Sequence, residues 1–345
     1  MSLPPRLVAE LSPRAAAPRR AVDNGAMRFS PKAAGIGAAV ITVLVWTSFI
    51  VIARASAGHT LNPFDLAFAR IVGAGLVLLP LGWWLVRREG LAGWLGLSPF
   101  PLRLTALIGL FGGLLYAMLA YAGFFHAPAA HASVLMPGSL PLWTTLLAAL
   151  LLGTPITPAR GVGLLFIVAG DLLVGGASLL KAFDGGEVWK GDLLFMSAAL
   201  CWSVYSVLVR RHALDPVKAT VAITVFSFFA YVPAYGLLAL LHLVPSRLAD
   251  APVGELLFQM AFQGVGSVVI SGITFTKMIQ YFGPVRSTMI TALVPGLSAL
   301  GAVIFLGELM SWNLLAGLAM VTVGIVFGVR KATPGVALPA AGPAA

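Results

Sequence analysis

The sequence predicts an all-α polytopic membrane protein, with ten transmembrane helices arranged as two inverted-topology five-helix repeats. Three observations carry this prediction. The chain is 59% hydrophobic and only 10% charged, with a mean hydropathy of +0.96; a soluble chain carries about 25% charged residues. Ten apolar runs are long enough to cross a hydrocarbon layer about 30 Å thick. The chain also repeats itself. An offset of 156 residues aligns Trp46 with Trp202, Gly35 with Gly191, Phe49 with Tyr205 and Arg54 with Arg210. Later in each copy an offset of 154 aligns Ser133 with Ser287, Pro141 with Pro295, Gly153 with Gly307, Gly163 with Gly317 and Gly170 with Gly324. These shared residues are mostly Gly, Pro and Trp, whereas chance apolar similarity would match Leu and Val. Five spans per copy make the second copy enter the bilayer from the opposite side, and inverted repeats with a site between them are a transporter design.

In chain order, residues 1–32 are a Pro-, Ala- and Arg-rich cytoplasmic tail without an apolar core, too polar to be a secretory signal and with the composition of a disordered segment. Met27, followed by Arg28 and Lys32, is an alternative translation start. The first repeat covers residues 33–180, with spans expected at 33–53, 66–86, 104–125, 132–152 and 161–180. Residues 181–190 form an outer linker. The second repeat covers 191–331, with spans at 191–209, 219–243, 256–279, 287–306 and 313–329, and a short tail follows over 332–345. The segment 87–103 is the longest loop and is expected to lie along the surface. Trp83, Trp84, Trp189 and Trp312 fall near span ends, as an interfacial aromatic belt does.

Charge orients the spans. The net charge of +10 is not a nucleic-acid signal, because its distribution follows the topology. Of the 22 Lys and Arg, only Arg54, Lys181, Lys190 and Arg247 fall in the loops opposite the N-terminus, and Arg70 alone lies within a span. The positive-inside rule therefore puts both termini in the cytoplasm of a multi-pass protein of the inner, or plasma, membrane. The one cysteine, Cys201, excludes an intrachain disulfide and a cysteine metal cluster. No phosphate-binding loop, H-E-x-x-H or G-x-S-x-G motif is present, so no cofactor and no enzymatic activity are expected.

The chain is similar to the ten-helix drug/metabolite transporters built from two EamA domains, over roughly residues 35–331. The residues that carry the resemblance are Trp46-Thr47-Ser48-Phe49, Gly191-Asp192-Leu193-Leu194 leading to Trp202 and Tyr205, and Pro295 leading to Leu306-Gly307-Glu308, Gly317 and Gly324. Where that family reads Leu-Gly-Glu in the first copy, this chain reads Leu152-Gly153-Thr154. The resemblance implies export or exchange of small metabolites, often amino acids, by alternating access.

Candidate site residues come from polar groups that lipid cannot satisfy. Gln259, Gln263, Ser267, Ser271, Thr274, Lys277 and Tyr281 form a stripe on the eighth span, at spacings of three and four residues. The stripe either lines the translocation path or joins helices, since Ser267 and Ser271 make a small-xxx-small pair. The same face of the third span carries Gly109, Gly113, Ala117, Ala120 and Gly123, which either packs closely or leaves space beside a cavity. Trp46 and Trp202 form either cavity walls or repeat-to-repeat packing, with Tyr205 beside them. Asp171, in the middle of the fifth span, is costly there and reads as a proton carrier or the partner of a cation; Arg70 is its nearest candidate partner by depth, and a structural ion pair is the other reading. Lys277 either attracts an anionic group or snorkels to the interface. Pro141 and Pro295 each remove a helical hydrogen bond, leaving the carbonyls of Pro137 and Thr291 in need of another donor. Gly324-x-x-x-Gly328 on the last span is a packing motif that also suits a homodimer. The expected function is a secondary transporter of a small organic metabolite, an amino acid or a related compound, with protons or exchange supplying the energy. A membrane-embedded enzyme and a passive channel are the alternatives.

Overall fold

The computed structural model describes residues 31–181, 185–291 and 293–330. Most of the N-terminal tail, Met27 and the tail over 332–345 lie outside the described residues, as does Asp184.

Among the described residues every regular element is helical, which is what a chain deprived of water for its backbone groups must do. The ten helical segments among the described residues are α1 (Pro31–Ser56), α2 (Pro63–Glu89), α3 (Leu102–His126), α4 (Ala129–Leu152), α5 (Pro158–Lys181), α6 (Val188–Arg211), α7 (Pro216–Leu240), α8 (Val253–Phe282), α9 (Pro284–Leu306) and α10 (Trp312–Arg330); the first nine are long and apolar enough to cross a membrane, and the apolar part of the tenth is shorter. Each predicted span falls on one of them, although the seventh, expected over 219–243, overruns a helix that ends at Leu240, and most of the helices run a few residues beyond the apolar core at one or both ends. Local caps fix some of these ends. Asn62 Oδ1 accepts from the N–H groups of Phe64 and Asp65, Asp65 accepts from the Asn62 N–H, and α2 stops at Gly90 with φ 64°. Asp215 likewise accepts from Val217 and Lys218 to begin α7. The loop after α2 contains a 3₁₀ turn over Trp94–Gly96, and Trp94 packs near Phe226 and Phe229 of α7. Arg87 and Arg88 lie over the exposed rings of Trp83 and Trp84, at 4.2 and 4.7 Å, in an interfacial arrangement.

The inverted repeat is written into the contacts. A Cβ on Gly324 would meet the Gly163 carbonyl at 2.5 Å, and one on Gly170 would meet the Gly317 carbonyl at 2.7 Å. Gly163 and Gly317 are equivalent residues, as are Gly170 and Gly324, so each contact is the image of the other under a two-fold axis. The helices α5 and α10 therefore run antiparallel at backbone contact. Gly324 is used within the chain, against Gly163. Other pairings obey the same symmetry: α2 packs on α8 as α7 packs on α3, and α1 packs on α9 as α6 packs on α4. Gly153 and Gly307 end α4 and α9 in the same left-handed conformation, with φ 64° and 65°, which glycine alone adopts freely.

Three passes depart from α-helical winding. The third widens into a π-helical turn over Leu110–Leu114, and the eighth does so over Met260–Ile270; these are repeat equivalents. The fourth widens over Val134–Gly138 and turns at Ser139 before its second half begins. Pro141 sits at the start of that second half, and Pro295 sits near the start of the corresponding segment, Leu293–Leu306. The Thr291 carbonyl, expected to need another donor, accepts from the Val294 N–H at 2.9 Å; nearby, the Ser139 hydroxyl donates to the Leu135 carbonyl at 2.6 Å and that of Thr291 to the Thr288 carbonyl at 2.7 Å. Wide turns of this kind gather at functional sites.

Candidate functional site

Two small cavities lie at the seam between the repeats, each of about 20 Å³, which is room for about one water molecule. They share one wall, the indole of Trp202.

The first cavity is bounded by α2, α3, α6, α7 and α8. Small residues make its space: Ala74 on α2, Gly112, Gly113 and Ala117 on α3, and Gly272 on α8. The π-turns of α3 and α8 both present residues to it, Gly112 and Gly113 from one and Ser267 and Val268 from the other. Polar groups converge here. Arg70 is only 5% exposed; its Nη1 donates to Ser267 Oγ at 2.8 Å and to the Gln263 carbonyl at 3.4 Å. Its guanidinium carbon lies 5.5 Å from the centre of the Phe49 ring and 5.9 Å from that of Tyr116. Neutral dipoles and ring faces therefore surround this permanent charge, and among the described residues no carboxylate forms an ion pair with it. Three further polar atoms on the lining, Trp202 Nε1, Thr224 Oγ1 and Ser227 Oγ, are buried without a hydrogen-bond partner among the described residues. Native interiors leave few such atoms.

The second cavity is apolar and aromatic. It is lined by Trp46, Phe49 and Ile50 of α1, Tyr116 of α3, Met136, Pro137 and Leu140 of α4, Trp202 of α6 and Val294 of α9. Trp46 meets Trp202 edge-on, with ring centres 5.7 Å apart and planes at 78°. Tyr116 stands 4.8 Å from Trp202, and Phe275 lies behind both tryptophans at 4.8 and 5.5 Å.

The predicted stripe on α8 divides between structure and site. Ser267 reaches the first cavity and holds Arg70. Gln263 is fully buried and accepts from the Tyr121 hydroxyl at 3.0 Å, while its backbone carbonyl faces Arg70. Gln259 donates to Ser56 Oγ at 2.8 Å, joining α8 to α1. Ser271 returns its hydroxyl to the Ser267 carbonyl, and Thr274 bonds Thr42 of α1 at 2.8 Å. Lys277 is exposed and lines neither cavity. Tyr205 stands behind Trp202, at 5.1 Å, with its hydroxyl bound to Thr276 at 2.6 Å. The small face of α3 serves both purposes: Gly109 and Gly123 receive the rings of Phe226 and Phe195, while Gly113 and Ala117 leave room at the cavity.

Asp171 and Arg70 are brought to different places. Asp171 lies in a crevice of about 290 Å³ between α4, α5 and α6, with Trp143, Trp189 and Asp192. It is 6% exposed, and both its carboxylate oxygens lack a hydrogen-bond partner among the described residues. Asp192 is held by His131 Nδ1 at 2.9 Å and by the Ser178 hydroxyl.

At the end of the molecule that holds the α9–α10 loop, Glu308 ties three elements. Its Oε1 accepts from Arg54 Nε at 3.3 Å and from the Ala129 N–H at 3.0 Å, and its Oε2 accepts from the Ala130 N–H at 3.1 Å. Arg54 Nη1 also donates to the Phe124 carbonyl at 2.7 Å. The ends of α1 and α3, the start of α4 and the last loop are thus latched together. Its repeat equivalent is Thr154, so the two ends of the molecule close by different chemistry.

Sequence reasoning missed the polar residues of α7. Thr220, Thr224, Ser227, Tyr231 and Tyr235 recur at spacings of three and four, the same signal that marked α8, and the first three line the first cavity.

The EamA-like transporter family model matches this chain twice, over residues 33–176 and 189–330. The aromatic amino acid exporter YddG of Ancylobacter novellus is 28% identical over 256 residues, covering 72% of this chain and 84% of that protein. An uncharacterized transporter of Bacillus subtilis, YyaM, is 25% identical over 191 residues, covering 55% of this chain and 60% of its own length. A protein of known crystal structure aligns with a TM-score of 0.57 at 27% identity, over 88% of this chain and 100% of that one.

Proposed function

Because the chain belongs to the EamA-like transporter family, we propose that it is a secondary carrier that exports or exchanges a small organic metabolite across the inner membrane by alternating access at the seam of its repeats. The observation that carries this reading is the first cavity. A buried guanidinium and three unpartnered polar atoms converge at the pseudo-two-fold seam, where inverted-repeat carriers hold their cargo. The cavity's small volume fits an occluded or partly closed state, from which the halves rock apart to admit a ligand. The likeness to an aromatic amino acid exporter, together with the aromatic second cavity, favours an amino acid or a related compound as cargo. Both termini face the cytoplasm in this reading, and Asp171 is the coupling residue, carrying a proton within its crevice.

Counterflow in proteoliposomes tests the proposal. A panel of labelled amino acids and related organic compounds is offered to vesicles preloaded with the same unlabelled compound. A carrier accelerates uptake when the far side is loaded. Uptake without that acceleration is channel behaviour, and a chemically altered label is enzymatic; either result refutes the proposal.

A further inference from the structure

Resting on the reading of the seam as the transport path, we propose that the cargo is an organic acid with an aromatic or bulky apolar side chain, and that Arg70 binds its carboxylate. An amino group is then dispensable for recognition.

The charge of Arg70 is the starting point. A guanidinium stays protonated at any physiological pH, and burying it without an anion is costly. Buried arginines are normally offset by a carboxylate, yet the acidic residues described here are engaged or placed elsewhere: Glu308 at the latch, Asp65 with Tyr235, Asp192 with His131, and Asp171 in its own crevice. Among the described residues, the bonds of Arg70 to Ser267 and to the Gln263 carbonyl both leave from Nη1, and the Tyr121 hydroxyl also interacts with the guanidinium; all three partners are neutral, so the charge of its planar fork is unmatched and suits a two-oxygen anion. Trp202 Nε1 adds a donor to the same cavity, and the Thr224 and Ser227 hydroxyls can donate or accept. Among the described residues no acidic side chain lines the cavity, so a cationic ligand would face Arg70 with no counter-charge from them.

The two cavities then divide one ligand. The polar cavity takes the carboxylate. The aromatic cavity lies against the same rings that flank Arg70, Phe49 and Tyr116. Trp202 lines both spaces, so a change in its rotamer as the halves rock apart joins them into one site for an arylalkyl acid.

Binding is read from tryptophan fluorescence of the purified full-length protein, and transport from counterflow, with three probes: 3-phenylpropionate, L-phenylalanine and 2-phenylethylamine. The expected result is that the two carboxylates bind and exchange, and that the amine binds at least tenfold more weakly. Arg70→Gln is expected to cost the carboxylates at least tenfold in affinity and to abolish the preference for acids, and Arg70→Lys to restore part of it. Should Arg70→Gln not fold, Ser267→Ala, which removes the hydroxyl that orients the guanidinium, is expected to weaken the carboxylates several-fold and spare the amine. The proposal is overturned if wild type binds the amine as well as the acids, if it binds neither carboxylate, or if both Arg70→Gln and Ser267→Ala leave acid preference unchanged. Gly113→Val separates this failure from that of the transport reading, because a Cβ there would meet Ser227 Oγ at 2.4 Å and Ile223 Cγ2 at 2.8 Å and fill the first cavity. If Gly113→Val stops counterflow while the Arg70 variants keep acid preference, the path stands and the anion anchor falls. If Gly113→Val transports at the wild-type rate, both fall.

Discussion

Neutralising Glu308 should open the end of the molecule that it latches. In the closed state its carboxylate accepts two backbone N–H groups, at 3.0 and 3.1 Å, and the Arg54 guanidinium at 3.3 Å. The Glu308 side chain is 15% exposed and that of Arg54 is 33% exposed, so solvent screens the ion pair and it contributes about 1 kcal/mol at most. Hydrogen bonds to a charged acceptor contribute roughly 1.5–3 kcal/mol each, against about 1 for a neutral one. Glu308→Gln keeps the shape and one carbonyl acceptor. It loses the ion pair, weakens one amide bond to the neutral value and turns an N–H donor toward the other amide, a net loss of about 2 kcal/mol at the low end of these values, which is roughly 30-fold in the closed-to-open equilibrium. A suitable reporter is Ser133→Cys, introduced with Cys201→Ser. Ser133 is fully buried one turn below Ala129 and is bonded to Ser298 at 2.9 Å. A water-soluble thiol reagent should modify this cysteine roughly 30 times faster when Glu308→Gln is added, with little change in melting temperature of the whole protein. A change of less than threefold, or rapid labelling with Glu308 intact, would refute the latch.

Other outcomes follow from the same geometry. Gly324→Leu places side-chain atoms where the Gly163 carbonyl and Ile167 already lie, so α5 and α10 must separate; a loss of about 1–3 kcal/mol should appear as a lower melting temperature in detergent. Asp171→Asn should leave counterflow intact while removing the stimulation of net transport by a pH gradient, and a wild-type response to the gradient would exclude Asp171 as the proton carrier. Single cysteines at positions 160 and 190 should be labelled from opposite sides of the membrane, and labelling from the same side would end the inverted-repeat account. Trp202→Ala, which removes the side chain that lines both cavities, should raise the affinity for ligands bulkier than phenylalanine, measured by competition in counterflow.

The helices were legible because lipid leaves them one solution. Apolar length predicts a span, basic residues orient it, and glycines recurring at a constant offset announce the repeat; each is a property of the chain against its solvent and needs no knowledge of neighbours. Their boundaries were less legible, because Asn62 and Asp215 act through backbone geometry at the cap. The polar stripe of α8 was legible as a stripe, but its division was not: whether Gln259 meets Ser56 or a ligand depends on what stands opposite. The stripe on α7 passed unnoticed because a serine or threonine in a helix can return its hydroxyl to a carbonyl four residues back, as Thr220 does to Pro216, so the residue type alone does not distinguish a satisfied hydroxyl from an orphaned one.

Arg70 and Asp171 mark the limit most sharply. Both are ionisable residues inside spans, and depth alone offered them to each other. Depth is one coordinate of three, and lateral position comes only from the packing of helices whose sides are all apolar and nearly interchangeable. The chain by itself determined that it is a repeated set of membrane helices, since hydrophobic length answers to the bilayer. Only the tertiary structure decided that Arg70 stands at the seam without a carboxylate and Asp171 in a separate crevice, since that depends on which small residues allow which helices to touch.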